Sequence, residues 1–445
     1  MRTLYPLSVL RTDSTPFRRV DDAAEEDQTD FLELLWERAQ TSPGKLAATA
    51  LGLVLLIVVV GVTAAQSMAD RTRGLDTTLH RAEPLTNVTL TLYTELSIAD
   101  AVTGAVFLSP GLESQEMRDR YDKAIASASA ATVQVASNLQ SSQLQTIAEE
   151  LPVYTRLVES AKVYNRAGKP VGAAYLSQAS HLMQTVLLPA AERMHRDQID
   201  ALENAQKQQT RSPWGLTLLL VVTLGCLVLA QLRLSKRSRR RFNPGLILAS
   251  GCFAILLLWF LVSSVPLVTL SGEAQSEGTD PLRTLTAARI SVQQARTQET
   301  LQLLRRGDED ILEQNYRSSM AAAHEQLGKL DSAQGEPGAR KAADAAIKAW
   351  TKTHEQLRKD LAAGMYGESV ELAIGPSPDA CAAQYRTLDN ALTSDIEHSR
   401  RTLRDSVAQA REALTALAPA SVFLTCCAVA FVLAGYWPRL GEYRA

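Results

Sequence analysis

A chain of 445 residues with 46% hydrophobic and 21% charged residues looks average, but four stretches hold almost no charge and most of the branched apolar side chains, so a single soluble globule is excluded. A formal net charge of −2 provides no basic field of the kind a phosphate backbone requires, which argues against nucleic acid as a partner. Aromatic residues at 5% suit Ala-rich helix packing better than β-structure.

The first 45 residues open with an acidic run, Asp21, Asp22, Glu25, Glu26 and Asp27, whose composition predicts disorder to about Gln28. Asp30-Phe31-Leu32-Glu33 then forms a capping-box pattern, followed by Leu34, Leu35, Trp36 and Ala39 on one face of a short amphipathic helix. One reading lays this helix on the membrane surface with Trp36 at headgroup level. The other makes Phe31, Leu34, Leu35 and Trp36 a docking face for a cytosolic partner, because Asp30, Glu33 and Glu37 are repelled by anionic lipid.

The apolar stretches cover residues 46–65, 214–232, 245–270 and 414–437. Each reaches the roughly 20 residues that a helix needs to cross a bilayer core of about 30 Å. Thr63-Ala64-Ala65 would pass as a signal-peptide cleavage site, but the long segment ahead of it favours an uncleaved anchor. Between the second and third spans, residues 233–244 carry Arg233, Lys236, Arg237, Arg239, Arg240 and Arg241. Short basic loops stay in the cytoplasm. Both termini, including the 438–445 tail, are therefore expected inside a multi-pass plasma-membrane protein, with residues 66–213 and 271–413 outside.

Cys226, Cys252, Cys426 and Cys427 fall inside spans and Cys381 stands in an outer segment, which implies packing residues rather than a disulfide framework. No HExxH, CxxC or clustered carboxylate spacing offers a metal site, and no cofactor is expected. No set of nucleophile, base and orienting group can be assembled, which argues against an enzyme.

Both outer segments read as helical bundles. In the first, breaks at Ser109-Pro110-Gly111, Ser141-Ser142 and Gly168-Lys169-Pro170 separate four helical stretches, with Pro189 placed to kink the last. Leu85, Val88, Leu92, Leu96, Ala99, Thr103 and Val106 form a seam-like stripe on the first stretch. The second segment breaks at Arg306-Gly307, at 332–338, at Ala363-Gly364 and at Gly375-Pro376-Ser377-Pro378. Matching features recur about 194 to 202 residues apart, among them Tyr154 with Trp350 and Gly168 with Gly364, so internal duplication is the simplest account. The expected fold is an all-α membrane protein with four transmembrane helices and two duplicated extracytoplasmic four-helix bundles.

Paired membrane helices flanking a four-helix bundle resemble the sensory half of bacterial chemoreceptors, in which a small shift of one long helix carries the signal. Two such units in one chain imply an intrachain pseudo-dimer. No signalling coiled coil or catalytic domain follows inside, so output is expected through another protein. A channel or permease is disfavoured, because the spans hold no ionisable group and only Gln231 near one end, while Gly52, Gly61, Gly225, Gly251 and Gly435 favour close helix contact.

The stretch Asn165-Arg166-Ala167-Gly168-Lys169-Pro170-Val171-Gly172-Ala173-Ala174-Tyr175-Leu176, with Leu188-Pro189-Ala190-Ala191-Glu192 beyond it, resembles the GlnX family of actinobacterial four-span membrane proteins. The resemblance implies a non-catalytic sensor or adaptor that passes an aspartate or glutamate signal from an external solute-binding lipoprotein (GlnH) to a cytosolic Ser/Thr kinase (PknG). It also makes the membrane-distal tips the contact for the lipoprotein: Ser109, Pro110, Gly111, Glu113, Gly168, Lys169 and Gly172 in the first unit, and Arg305, Arg306, Asp308, Gly364 and Tyr366 in the second. If the bundles instead bind a small molecule themselves, Asp100, Arg289 and Arg296 are the candidates. A carboxylate among Ile98, Ala99, Ala101 and Val102 is ordinarily an exposed helical position, and most bundle arginines are solvated.

Overall fold

The computed structural model describes residues 42–108, 114–210, 214–237, 243–304, 309–330, 338–415 and 417–441. Among these residues the elements are all helical and there is no strand. Four helices are long and apolar enough to cross a membrane, through Leu46–Leu108, Trp214–Ser235, Pro244–Val262 and Pro419–Pro438. The described residues separate into two compact units.

One unit holds the described residues within 1–65, 214–259 and 419–445, and its helices are α1 (Ser42–Thr77), α7 (Trp214–Arg237), α8 (Pro244–Glu273) and α14 (Leu417–Gly441). Each buries a stripe at three- and four-residue spacing: Leu53, Ile57 and Val60 on α1, Leu220, Thr223 and Leu227 on α7, Leu246, Ala249, Phe253 and Leu256 on α8, and Ser421, Thr425, Ala428, Val432 and Tyr436 on α14. The reverse faces, with Leu51, Leu55, Leu218, Leu258 and Phe423, are exposed, as spans surrounded by lipid require. Small residues set the close approaches. A Cβ on Gly61 would fall 2.3 Å from Thr425 Cγ2, and one on Gly245 would fall 2.6 Å from Gly435 Cα. Asn243 seals the second contact by donating to the Gly435 carbonyl at 2.8 Å while its Oδ1 accepts from Gly245 N at 3.2 Å. Gly52, Gly225 and Gly251 meet nothing within 4 Å, so only part of the expected glycine contact is made within this unit.

The other unit holds the described residues within 66–213 and 260–418. Its first bundle comprises α2 (Glu83–Leu108), α3 (Gln115–Ala136), α4 (Ser142–Arg166), α5 (Val171–Leu182) and α6 (Leu188–Thr210). The second comprises α9 (Asp280–Leu304), α10 (Glu309–Gly328), α11 (Ala339–Ala362), α12 (Tyr366–Ile374) and α13 (Cys381–Thr415). In the first bundle α2 packs on α3 and α6, and α4 packs on α5 and α6; in the second α9 packs on α10 and α13, and α11 packs on α12 and α13. The stripe read on α2 is buried at Leu85, Leu92, Leu96, Ala99, Thr103 and Val106. Ser114 and Ser141 cap α3 and α4 by accepting from Met117 N and Leu144 N, both at 3.2 Å.

The two halves end their third helices identically. Gly168 (φ 66°) and Gly364 (φ 79°) adopt the left-handed conformation, and behind them Lys169 N bonds Tyr164 O at 2.9 Å and Met365 N bonds Asp360 O at 2.8 Å. This is the six-to-one bond of a Schellman motif, made by both halves at the end of the third helix.

Among the described residues three π-helical segments interrupt the helices: Thr78–Ala82 before α2, Met183–Leu187 before α6 and Ala274–Thr279 before α9. The first and third occupy equivalent positions in the two halves. The second lies just ahead of Pro189, so the proline placed to kink this helix is accommodated by a widened turn, which relieves the clash of its ring with the preceding carbonyl.

The halves interlock. Helices α2 and α9 pack together where a Cβ on Gly104 would lie 2.8 Å from Thr300 Cγ2. Glu83, which begins α2, accepts from Arg400 Nε and Arg404 Nη2 of α13, both at 2.7 Å. On the opposite side Arg283 of α9 pairs with Glu203 and, at 3.3 Å, with Asp200 of α6. Thr279 donates to Gln206 at 2.7 Å beside that pair. Ile290 of the second half is part of the hydrophobic core of the first.

Candidate functional site

Counted from the Gly104–Thr300 contact, Asp100 and Arg296 hold the same register, one turn earlier on α2 and α9. Asp100 is 7% exposed, so it is not the solvated helical position that its residue type favours. Its Oδ2 accepts from Gln184 Nε2 at 2.7 Å and from Ser180 Oγ at 3.4 Å, which offsets the cost of burying a carboxylate. Asp100, Ser180, Thr297 and Thr300 border a cavity of about 10 Å³ between α2, α5 and α9, room for about one water molecule.

Arg296 sits in a buried ionic network that the described residues of the first half do not repeat. Its guanidinium pairs with Glu299 and donates to the Ala373 carbonyl at 3.2 Å. Glu299, fully buried, accepts from Trp350 Nε1 at 2.9 Å, and His354 Nδ1 stands 2.9 Å from the same oxygen. The other imidazole nitrogen, Nε2, lies 3.0 Å from Glu313 Oε2. Gln302 donates to that oxygen at 3.2 Å, while Arg317 and, at 3.2 Å, Arg358 hold the other Glu313 oxygen. An imidazole facing a carboxylate on each side is placed to donate from both nitrogens, an arrangement that favours the imidazolium form of His354.

Burial alone would lower the His354 pKa, but its bonds to Glu299 and Glu313 and their charges outweigh that and raise it. Burial alone would raise Glu299, and the charges of Arg296 and His354 with the Trp350 bond bring it down to about 2 instead. The Tyr316 ring stacks on His354 with centroids 3.6 Å apart. Where the second half places Trp350 and His354 on α11, the first places Tyr154 and Val158 on α4, both buried in an apolar core.

Arg289 is held by Asp389 in a two-bond fork, Nε to Oδ1 at 2.7 Å and Nη2 to Oδ2 at 3.0 Å. A ligand carboxylate would have to displace Asp389 to reach Arg289, or Glu299 to reach Arg296. The structure therefore does not bring Asp100, Arg289 and Arg296 to one open pocket.

Of the tip residues, Gly168, Lys169, Gly172, Gly364 and Tyr366 are described. Gly172 is tightly placed, since a Cβ there would come 2.8 Å from Asn165 N. Tyr366 donates to the Leu303 carbonyl at 2.9 Å and so fastens the start of α12 to the end of α9. Ser109, Pro110, Gly111, Glu113, Arg305, Arg306 and Asp308, and the docking residues Phe31, Leu34, Leu35 and Trp36, lie outside the described residues. Among the described residues no group of three metal-ligating side chains occurs.

Sequence reasoning alone does not single out Glu83, Glu299, Glu313 or His354. Each is one charged residue on a long helix: Glu83 meets Arg400 and Arg404 of α13, and Glu299, Glu313 and His354 meet where α9, α10 and α11 pack. The only signal is an ionisable residue on a face that is otherwise apolar.

Residues 74–207 match the family model described as an actinobacterial sensor domain. The matched segment runs from the end of α1 to near the end of α6, which is the first bundle with its leading π segment. No curated protein and no solved structure matches the chain. The sensor-domain region therefore corresponds to one half of the interlocked pair.

Proposed function

We propose that this chain is a non-catalytic transmembrane sensor or adaptor whose paired bundles face the exterior and pass an amino-acid signal, aspartate or glutamate delivered by a solute-binding lipoprotein of the GlnH type, to a cytosolic Ser/Thr kinase of the PknG type. The observation that carries the reading is the sensor-domain match over residues 74–207, set between helices apolar enough to span a bilayer. In this reading the lipoprotein contacts Gly168, Lys169, Gly172, Gly364 and Tyr366, together with Ser109, Pro110, Gly111, Glu113, Arg305, Arg306 and Asp308 as read from the sequence. The kinase engages Phe31, Leu34, Leu35 and Trp36. Arg233, Lys236 and Arg237 support placing both termini in the cytoplasm.

Helix α1 is continuous from Ser42 to Thr77 and is followed without a break by a π segment and α2. A shift at α2 is thereby handed along continuous helix. The test is co-purification from native membranes: recovery of a binding lipoprotein and a cytosolic kinase supports the adaptor. Recovery of neither, with small-molecule binding by the full chain alone, favours a self-contained receptor. Surface labelling of a tag placed among residues 233–244 on intact cells would overturn the orientation.

A further inference from the structure

A cleft of about 490 Å³ opens between α6, α9 and the end of α10, within the size range of small-molecule sites. It is distinct from the tips, from Asp100 and from the ionic network. Its walls come from both halves: Glu192, His195 and Arg196 from the first, and Arg283, Ser291 and Gln294 from the second, with Lys329 at the rim.

Arg196, Arg283, Lys329 and the Gln294 amide supply donors, the first three carry positive charge, and the carboxylate on the wall, Glu192, is held by Arg196 and by the Gln294 amide at 3.4 Å. Each cation already holds a carboxylate: Arg196 with Glu192, Arg283 with Glu203 and Asp200, and Lys329 with Glu325. All three cations are at least half exposed, and a guanidinium has five N–H donors and an ammonium three, so an incoming carboxylate can be met beside the one already held.

His195 adds the second half of the pattern. Its side chain is 3% exposed. Nδ1 stands 3.2 Å from both the Thr86 carbonyl and the Thr89 hydroxyl, and because that hydroxyl donates its own proton to the Thr86 carbonyl at 2.9 Å, both neighbours accept and Nδ1 is the donor. Nε2 is therefore the ring's acceptor, and it is buried with no hydrogen-bond partner. A buried acceptor without a donor is costly unless something fills the place. Burial also pushes the His195 pKa down to about 4, which keeps the ring neutral and the lone pair open.

We propose that this cleft binds a small organic anion bearing a carboxylate and a neighbouring hydroxyl or amino donor, the carboxylate meeting Arg283 with Arg196 or Lys329 and the donor meeting His195 Nε2. Such a ligand bridges α6 and α9, and so both halves of the pair. The inference rests on the sensor reading for its consequence alone; binding to the isolated full chain does not depend on any partner.

The test measures binding of malate, succinate and inorganic phosphate to the full chain in lipid nanodiscs by calorimetry. Malate is expected to bind, with succinate weaker because it lacks the hydroxyl. Arg283→Ala should weaken malate about tenfold, equivalent to about 1.4 kcal/mol. His195→Phe should erase the preference for malate over succinate, and Ser291→Trp, which fills the cleft, should abolish binding. Arg118→Ala, on an exposed part of α3, should leave binding unchanged. Phosphate binding as tightly as malate would overturn the carboxylate assignment. Absence of binding by all three probes at millimolar concentration, or binding unaffected by Ser291→Trp in a protein with unaltered thermal midpoint, would overturn the site. A negative here with a lipoprotein recovered from membranes would leave the sensor reading standing, and the reverse pair of results would sink that reading alone.

Discussion

His354 Nδ1 stands 2.9 Å from Glu299 Oε1, on helices α11 and α9, with both side chains buried. The link is a titratable fastener. His354 has a pKa raised above its ordinary 6.5, so its contribution is complete below that value and is lost as the pH climbs through the raised pKa. Glu299 is depressed from 4.5 to about 2, so its contribution is complete above 4.5 and is lost as the pH falls toward 2. The network is therefore strongest between the two ordinary values. Thermal midpoints of the full chain measured across this range should form a plateau there and decline on the alkaline side. His354→Gln should lower the plateau by the equivalent of about 3 kcal/mol and remove the alkaline decline. An unchanged alkaline slope in the variant would assign that slope to other groups.

Glu83 is 1% exposed and is held by Arg400 and Arg404. Removing it leaves two arginines facing a buried gap, so Glu83→Ala should destabilise by about 3–5 kcal/mol. Arg404→Ala removes a half-exposed partner while Arg400 remains and should cost less than half as much. Chemical denaturation of both variants gives the comparison; equal losses would mean that the carboxylate is not the centre of the clamp.

Gly61 and Gly52 lie on the same apolar helix and differ in surroundings. Gly61→Val drives a side chain into Thr425 and should cost about 1–3 kcal/mol. Gly52→Val enters open space and should be close to neutral. Heat-induced aggregation in detergent separates the two, and a large loss for Gly52→Val would reveal a neighbour from another chain.

Gly168 and Gly364 hold positive φ, and a Cβ at either position would meet nothing within 4 Å. Backbone conformation, and not crowding, therefore decides what these turns accept. Valine at either site should cost about 1–2 kcal/mol for the left-handed backbone, whereas asparagine should be tolerated. Closely similar losses at both sites, read by denaturation, are expected of turns with the same geometry.

Much of the architecture is written in one-dimensional patterns. The apolar runs give the spans, Gly168-Lys169-Pro170 and Ala363-Gly364 give the matching turns, and the α2 stripe gives the seam, because each depends on neighbours along the chain. The pairing of Glu83 with Arg400, or of Glu299 with His354, depends on residues far apart in sequence that meet only when helices cross. The π segments leave no readable mark except Pro189, since widening a turn by one residue leaves the spacing of apolar side chains almost unchanged over so short a stretch. Asp100 shows the limit of residue-type reasoning: its partners Gln184 and Ser180 come from a different stretch of helix.

Because Glu83 is sealed by arginines from the opposite half, and Ile290 closes a core to which it does not belong in sequence, neither half is a self-sufficient particle. A fragment ending near residue 213 would meet solvent with a bare carboxylate and an open seam, and its silence toward any molecule would say little about the parent. The reverse excision fares no better, since a fragment beginning near residue 260 would present Arg400 and Arg404 without the carboxylate that they enclose.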